Sequence, residues 1–164
     1  MENMLATPLR PLEVMTGKIV PYVFVGLIQS IIIVLAALYL FEVPFLGRLI
    51  GLFITSLLFI AANLTLGITI SSVAGNQLQA MQMTMFTMMP SLLLSGFMFP
   101  FQGMPLWAQA IGNAVPVTYF LRLVRGIMLK GNRLPDLWTD LWPLLVITAV
   151  LMTVASVFYR KTLD

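Results

Sequence analysis

The sequence predicts an all-α integral membrane protein with four transmembrane helices and a re-entrant or interfacial helix pair before the last one. The first observation is composition, because 60% of the 164 residues are hydrophobic and 9% are charged, against roughly 45–50% and about 25% in soluble domains. A soluble domain of this size still exposes nearly a third of its unfolded surface. The second observation is charge placement: no charged residue lies between Arg48 and Arg122, which predicts several bilayer crossings.

The N-terminal segment that precedes the first apolar stretch is predicted to be bent. The residue before a proline avoids the helical region, so the dipeptides Thr7-Pro8 and Arg10-Pro11 interrupt any helix near the start. Pro11 suits the first turn of a helix. A short helix is therefore expected from Pro11 towards Lys18.

Four uncharged apolar stretches are predicted to cross the bilayer. They run over residues 19–41, 49–74, 78–99 and 141–159. The first spans roughly 35 Å at about 1.5 Å per residue and so exceeds a hydrocarbon core of about 30 Å. Pro90 is expected to kink the third crossing, and Trp142 and Tyr159 lie at the edges of the fourth, as interfacial aromatic residues do.

The segment between the third and fourth crossings is too interrupted to span the membrane. Residues 103–121 are uncharged. Four residues that end or bend helices break this stretch: Pro105, Gly112, Asn113 and Pro116. Two short helices fit better, over about 105–114 and 116–130, and the second carries an apolar face. This pattern predicts a re-entrant or interfacial pair over about 105–130.

Four crossings place both termini on the same side of the membrane. The basic residues predicted on that side are Arg10, Lys18, Arg160 and Lys161, and those on the other side are Arg48, Arg122, Arg125, Lys130 and Arg133. This near-equal division does not identify the cytoplasmic side by the positive-inside rule. Charge alone therefore leaves the orientation open.

The residue types present exclude several kinds of chemistry. With no Cys and no His, the chain has no disulfide, thiolate nucleophile or imidazole acid–base group. Serines such as Ser71, Ser72, Ser91 and Ser95 have no His or Lys nearby in the sequence to activate them, which argues against a membrane enzyme. No carboxylate lies inside a predicted crossing, which argues against ion-coupled transport by this chain alone. No basic run with interleaved aromatic residues indicates a nucleic-acid partner.

Two periodic patterns in the second and third crossings are candidate functional surfaces. The first is a stripe of small or polar residues at every fourth position: Asn63, Gly67, Ser71 and Gly75. Such a stripe favours close helix packing within the bundle, or alternatively a dimer seam or a substrate-facing wall. The second is a methionine row beside Gln82: Met81, Met85 and Met89. Its interpretations are core filler, an adaptable path lining or, least favoured, a site for a soft metal.

The helix expected over 116–130 carries Arg122 and Arg125. These side chains are candidates for binding lipid phosphates or a partner loop. The alternative is that they extend to the lipid headgroups, as long basic side chains at a membrane edge commonly do.

Two stretches resemble the type 2 ABC transporter permeases, especially bacterial exporters of the drug-efflux kind. The first, ENMLATPLRPLEVMTGKIVPY, is similar to the family's cytoplasmic link into its third membrane helix. Its matching positions are Thr7, Pro8, Arg10, Pro11, Glu13, Gly17 and Lys18. The second is LSGFMFPFQGMPLWAQAIGNAVPVTYFLRLVRGIMLKG. It matches at Ser95, Gly96, Pro100, Met104, Pro105, Trp107, Pro116, Thr118, Tyr119, Arg125, Gly126 and Gly131.

The resemblance implies that the termini are cytoplasmic, in a bacterial inner membrane, and that the four crossings correspond to the family's third to sixth helices. Residues 1–18 would be part of a segment that couples to an ATPase, and the chain would begin within it. The pair over 105–130 would form an outer gate, to which Arg122 also belongs. Family members have two further membrane helices before this point.

The partners implied by the resemblance are a separate ABC ATPase subunit and a second permease subunit, identical or different. ATP and Mg would bind the ATPase, because this sequence contains no GxxxxGK[ST] phosphate loop. The interpretation is thus a non-enzymatic subunit of an ATP-driven exporter. The alternative is a membrane interaction protein that does not transport, or an inactive permease fragment. The substrate stays open.

Overall fold

The computed structural model describes residues 11–161, and all its regular elements are helical. The six α-helices are α1 (Pro11–Tyr39), α2 (Leu49–Val73), α3 (Gln77–Leu94), α4 (Leu106–Gly112), α5 (Pro116–Lys130) and α6 (Leu134–Lys161). A 3-10 turn over Phe101–Gly103 precedes α4. The all-helical class predicted from the sequence is confirmed for this part of the chain.

Three helices of the described range are long and apolar enough to cross a membrane, over Ile19–Tyr39, Leu49–Val73 and Pro135–Ser156. They agree with three of the four predicted crossings. The third predicted crossing is a helix, α3, but it is not among these spans. It has 18 residues, about 27 Å at 1.5 Å per residue, and its glutamines, threonines and serine lower its hydropathy.

Two helix boundaries at the N-terminal side differ from the sequence prediction. α1 is continuous from Pro11 through Pro21 to Tyr39, so the expected short helix towards Lys18 is the first part of α1. Apolar residues on both sides of Pro21 favour continuation, and membrane helices tolerate an internal proline. α3 ends at Leu94 and not near Phe99, because Gly96 has a φ of +85°, which lies outside the helical region.

The last helix also begins earlier than predicted, at Leu134 and not at Leu141. The Arg133 N–H donates to the carboxylate of Asp136 at 3.1 Å, a contact of the capping-box kind that stabilises a helix start. Pro135 then occupies the first turn, where a proline is tolerated. As a result, Asp136 and Asp140 are part of α6 and do not precede it.

The other helices pack around α2, and the two ends of this bundle carry different connections. α1 is antiparallel to α2, because residues 30–38 face 49–56 whereas residues 19–22 face 63–71. α2 makes its most extensive contact with α6, and α5 contacts both. The end that carries the 40–48 loop and the 131–133 connection is called the loop end below. The end that carries residues 74–76 is called the turn end.

The buried core lies near the loop end, where α2, α5 and α6 meet. Its members are Leu52, Leu123, Ile127, Leu137 and Leu144. Buried hydroxyl groups elsewhere in the bundle donate to their own helix: Thr55 to the Gly51 carbonyl at 2.9 Å, and Thr148 to the Leu144 carbonyl at 2.7 Å. In lipid, van der Waals packing and small hydrogen-bonded residues drive helix association more than apolar burial does.

Large apolar surfaces of α1 and α3 have no contact within the described residues. Phe24 and Ile33 of α1 are 65% and 67% exposed, and α3 has no buried residue at all. Apolar patches of this size are typical of surfaces covered by lipid or protein. The exposed faces of α1 and α3 are thus available for contact with lipid or with another protein.

The turn between α2 and α3 is held by reciprocal side-chain bonds. The Asn76 side-chain oxygen accepts from the Gln79 N–H at 2.7 Å, and the Gln79 side-chain oxygen accepts from the Gly75 N–H at 2.8 Å. The first bond satisfies an amide in the first turn of α3, which has no partner inside the helix, and the second satisfies the amide of Gly75 just before the helix. They explain how a tight turn forms there without a charged residue.

Replacing Asn76 with alanine is expected to lower the free energy of unfolding by about 1 kcal/mol, the typical cost of losing an N-cap. Thermal unfolding of the detergent-purified protein measures the effect. Asn76→Ser is the matched control, since serine is also a good N-cap residue and should preserve most of the stability. Equal loss in both variants would contradict the cap assignment.

Candidate functional site

The α4–α5 hairpin, residues 106–130, is joined to several other segments of the described chain. The Thr118 hydroxyl donates to the Gly112 carbonyl at 2.5 Å, which joins the end of α4 to the start of α5. Pro116 is the first residue of α5 and is buried. Gly112 lies so close to Leu94 that an added Cβ would overlap the Leu94 carbonyl oxygen. The hairpin is thereby seated on the end of α3.

Arg122 connects the hairpin to α6 and to the 3-10 turn that precedes α4. Its guanidinium lies 3.7 Å from the carboxylate of Asp140 on α6. The guanidinium carbon also lies 4.5 Å from the ring centroid of Phe101 and 5.7 Å from that of Tyr119. A fourth contact, of 3.4 Å, joins it to the side-chain oxygen of Asn113. The arrangement combines an ion pair with cation–π contacts.

Arg125 connects α5 to the end of α3 by a backbone contact. Its guanidinium donates to the Gly96 carbonyl at 3.2 Å. Ser95, next to Gly96, is buried, and its hydroxyl donates to the Leu92 carbonyl at 3.0 Å. Both arginines thus have partners inside the chain. The lipid or partner contacts expected from the sequence stay a prediction.

The C-terminal end of α5 packs against the loop that joins α1 and α2. Gly131 ends the helix with a φ of +64°, the left-handed conformation common after a helix. The Leu46 N–H donates to the Met128 carbonyl at 3.0 Å. Gly126 is buried and faces Asn132 and Leu137. The hairpin is consequently attached at both of its ends.

Two further residues of the predicted gate lie just before short helical elements. Pro100 precedes the 3-10 turn and Pro105 precedes α4, and both are exposed. The partners of Arg122 that sequence reasoning missed are Phe101 and Asp140. The sequence contains no local signal for either, because both pairings join residues that lie far apart along the chain.

The predicted small-residue stripe lies on the outside of α2. Asn63, Gly67, Ser71 and Gly75 are all exposed, and an added Cβ at Gly67 would meet no atom within 4 Å. The buried residues of α2 are a different set: Gly51, Leu52, Thr55, Ser56, Ala62 and Thr65. Within the described chain, Gly67 thus has no close helix contact, whereas the Gly75 N–H donates to the Gln79 side chain of α3.

The methionine row also faces outward. Met81, Met85 and Met89 are exposed and line a shallow groove on α3 together with Gln82, Phe86 and Pro90. Within the described part of the chain, only residues of α3 form this groove. The row therefore lies apart from the α4–α5 hairpin.

A cavity of about 300 Å³ lies between α2, α3 and the start of α5. Asn63 and Gly67 of the stripe border it on the α2 side, and Val115, Pro116 and Val117 border it on the hairpin side. Phe59 also lines it and stacks on Phe120 with ring centroids 4.0 Å apart. The cavity thus joins the predicted path stripe to the predicted gate.

The predicted coupling residues fall mostly outside the described part of the chain. Thr7, Pro8 and Arg10 lie outside the described residues, as do the side chains of Pro11, Glu13 and Lys18. Gly17 is exposed within α1, and an added Cβ there would meet no atom within 4 Å. The coupling role stays a prediction.

The relatives found by comparison with known proteins include several that are named ABC transporters. The protein named "Probable multidrug ABC transporter permease YbhR" from Escherichia coli (strain K12) is 32% identical over 161 residues, which are 98% of this chain and 44% of the relative. "Probable multidrug ABC transporter permease YbhS" from the same organism is 31% identical over 157 residues, 95% of this chain and 39% of the relative. "ABC transporter G family member 20" from Dictyostelium discoideum is 28% identical over 131 residues, 80% of this chain and 18% of the relative.

The chain spans less than half the length of these curated relatives. No solved structure matches it. The family profile described as ABC-2 type transporter matches residues 1–129, which include both stretches that carry the resemblance, apart from the last two residues of the second. The chain belongs to the ABC-2 type transporter family.

Proposed function

We propose that this chain is part of the membrane subunit of an ATP-driven exporter and contributes to its substrate path. The observation that carries the proposal is the match to relatives named permeases over 98% of this chain. Drug-like molecules are proposed as cargo, because two of the relatives are named multidrug ABC transporter permeases. The chain itself does not hydrolyse ATP in this proposal, since it contains no phosphate loop.

In the membrane arrangement that we propose, α3 is the third of four crossings and α4 and α5 form a re-entrant pair. The stack of Phe120 on Phe59 supports this, because Phe59 lies about 15 Å along α2 from the loop end. The start of α5 borders the same cavity as Asn63 and Gly67, which lie still deeper. A helix that begins at this depth and ends at the loop end reaches about halfway across the bilayer.

The proposed partners are an ABC ATPase, which binds ATP and Mg, and a second permease subunit. Residues 1–18 would contact the ATPase from the cytoplasmic side of the inner membrane, where both termini would lie. The exposed faces of α1 and α3 and the exposed stripe of α2 provide surface for the second subunit or for lipid. The hairpin and its arginines would form the outer gate, at the loop end.

The test is co-purification of the full-length protein with a separate ATPase that carries a phosphate loop. Arg10→Ala and Glu13→Ala are expected to weaken ATPase binding by about tenfold, the effect of about 1.4 kcal/mol at an interface, and to reduce transport in vesicles. Membrane insertion should be unchanged, because both residues precede the first crossing.

Arg133→Ala is the matched control, since Arg133 is a basic residue at the opposite, loop end of the bundle. It should leave ATPase binding at its original value. Normal transport in both Arg10→Ala and Glu13→Ala would contradict the coupling assignment. Absence of any co-purifying ATPase would favour the non-transporting alternative.

A further inference from the structure

The cavity between α2, α3 and the start of α5 has walls of two chemical kinds. Most of its surface is apolar, from residues such as Phe59, Leu66, Met88 and Leu92. Among the residues that the structure describes, no Asp, Glu, Lys or Arg lines it. Its volume of about 300 Å³ is at the lower end of the range of roughly 300–1,000 Å³ typical of small-molecule sites.

The polar side chains of the α3 wall have their donors already engaged. The hydroxyls of Thr84, Thr87 and Ser91 donate to the carbonyls of Ala80, Met83 and Thr87, at 2.8, 2.8 and 2.6 Å. A hydroxyl that donates to its own helix keeps its lone pairs for accepting. Asn63 across the cavity likewise donates to the Phe59 carbonyl at 2.8 Å and keeps its side-chain oxygen as an acceptor.

The hairpin wall includes the start of a helix. α5 begins at Pro116, which has no N–H, and its N-cap Val115 makes no side-chain capping bond. The N–H of Val117 is therefore the first donor of the helix, and Val117 lines the cavity. Amides of a first helical turn have no intrahelical acceptor.

We propose that this cavity binds an uncharged, largely apolar molecule that carries both a hydrogen-bond donor and a hydrogen-bond acceptor. The donor would face the hydroxyl oxygens of α3, and the acceptor would face the first turn of α5. An anion or cation is disfavoured, because no opposite charge in the lining compensates the cost of removing an ion from water. The proposal rests on the proposed function in one respect, which is that the bound molecule is the exporter's cargo.

The experiment uses a single cysteine as reporter, which is practical because the chain has no cysteine. Met88→Cys places a thiol in the cavity lining, and labelling by a maleimide is followed on the purified complex of this subunit and its ATPase, without nucleotide. The probe is 1-naphthol, which is neutral and carries one donor and one acceptor. It is expected to slow the labelling of this cysteine in a saturable manner.

Two matched compounds test the ligand chemistry. 1-Methoxynaphthalene keeps the rings but has no donor, and it should require about fivefold higher concentration for the same protection, the effect of losing one hydrogen bond. 1-Naphthalenesulfonate adds a negative charge and should not protect. Thr87→Val combined with Ser91→Ala removes two acceptors and should reduce the advantage of 1-naphthol over its methyl ether.

The position control is Phe86→Cys, on the same helix but about 200° around it at 100° per residue, in the separate methionine groove. Its labelling should be unaffected by 1-naphthol. Ser91→Cys serves as a second reporter if Met88→Cys is not recovered as folded protein. Equal protection at positions 86 and 88, or protection by the sulfonate, would overturn the proposal.

A cavity cysteine that no maleimide reaches, with or without probe, would also overturn the proposal, because the cavity would then be filled by protein. These outcomes are distinct from failure of the proposed function. If the subunit purifies without an ATPase, the same labelling is measured on the subunit alone. Protection there would support the binding site and contradict the exporter assignment. Co-purification of an ATPase without protection of the cavity cysteine would support the exporter assignment and contradict the binding site.

Discussion

Replacing Gly112 with alanine is expected to lower the free energy of unfolding by about 2 kcal/mol, within the range typical of overpacking. The added Cβ would overlap the Leu94 carbonyl oxygen and would lie 2.8 Å from Cε2 of Phe101. The Leu94 oxygen belongs to the backbone at the end of α3, so it cannot rotate away as a flexible side chain would. Relief therefore requires that the hairpin move from α3.

The same displacement should disturb contacts that depend on the position of the hairpin. Gly112 provides the carbonyl that the Thr118 hydroxyl contacts, and Arg125 contacts Gly96 just beyond α3. Thermal unfolding of the detergent-purified protein, followed by the loss of its monodisperse fraction, measures the effect. Limited proteolysis between α4 and α5 should become faster, because the connection would lose its support.

Gly103→Ala is the matched control, because an added Cβ there would meet no atom within 4 Å. Gly103 lies in the turn before the hairpin and Gly112 lies within the hairpin, so both are outside the long helices α2 and α6. Alanine at position 103 should change the free energy of unfolding by less than about 0.5 kcal/mol, as at most surface sites. A loss at position 103 equal to that at position 112 would show that the Leu94 contact is not the cause.

Local sequence signals predicted the hairpin well. The two short helices expected over 105–114 and 116–130 are found at Leu106–Gly112 and Pro116–Lys130. Pro116 at a first helical position and a left-handed Gly131 after the last turn are signals read within a few residues. Such boundaries depend little on the rest of the chain, which is why sequence alone located them.

Boundaries that depend on other contacts were predicted less accurately. The early start of α6 depends on the bond from the Arg133 N–H to Asp136, and charged residues there suggested a boundary of the membrane instead. The outward position of Asn63 and Gly67 was not predictable either, because helical periodicity places residues on one face without identifying what that face meets. The packing of α1, α3, α5 and α6 on α2 determines which of its faces is buried.

Reversing the charge of Arg122 with glutamate is expected to lower the free energy of unfolding by about 2 kcal/mol. The change removes an ion pair worth up to about 1 kcal/mol at a partly exposed site and a cation–π contact worth about 0.5–1 kcal/mol. It also places two carboxylates near each other, because Asp140 is 3.7 Å from the present guanidinium. Thermal unfolding of the purified variant measures the loss.

Combining Arg122→Glu with Asp140→Arg should restore roughly half of the lost stability. The exchanged pair recovers the attraction between opposite charges, but the guanidinium then starts from α6 and no longer lies over Phe101. Arg122→Lys separates the two contributions in another way, because lysine keeps the charge while losing the planar group that stacks on aromatic rings. It should lose less stability than Arg122→Glu does.

Arg125→Glu provides the specificity control, because Arg125 contacts the Gly96 carbonyl and not a carboxylate. Adding Asp140→Arg to this variant should give no rescue, since the new arginine would have no partner at position 125. Rescue of both glutamate variants to the same extent would mean that Asp140→Arg acts through the net charge of the hairpin. Rescue of Arg122→Glu alone, by contrast, requires a direct contact between position 122 of α5 and position 140 of α6, which adds to the apolar packing of these two helices.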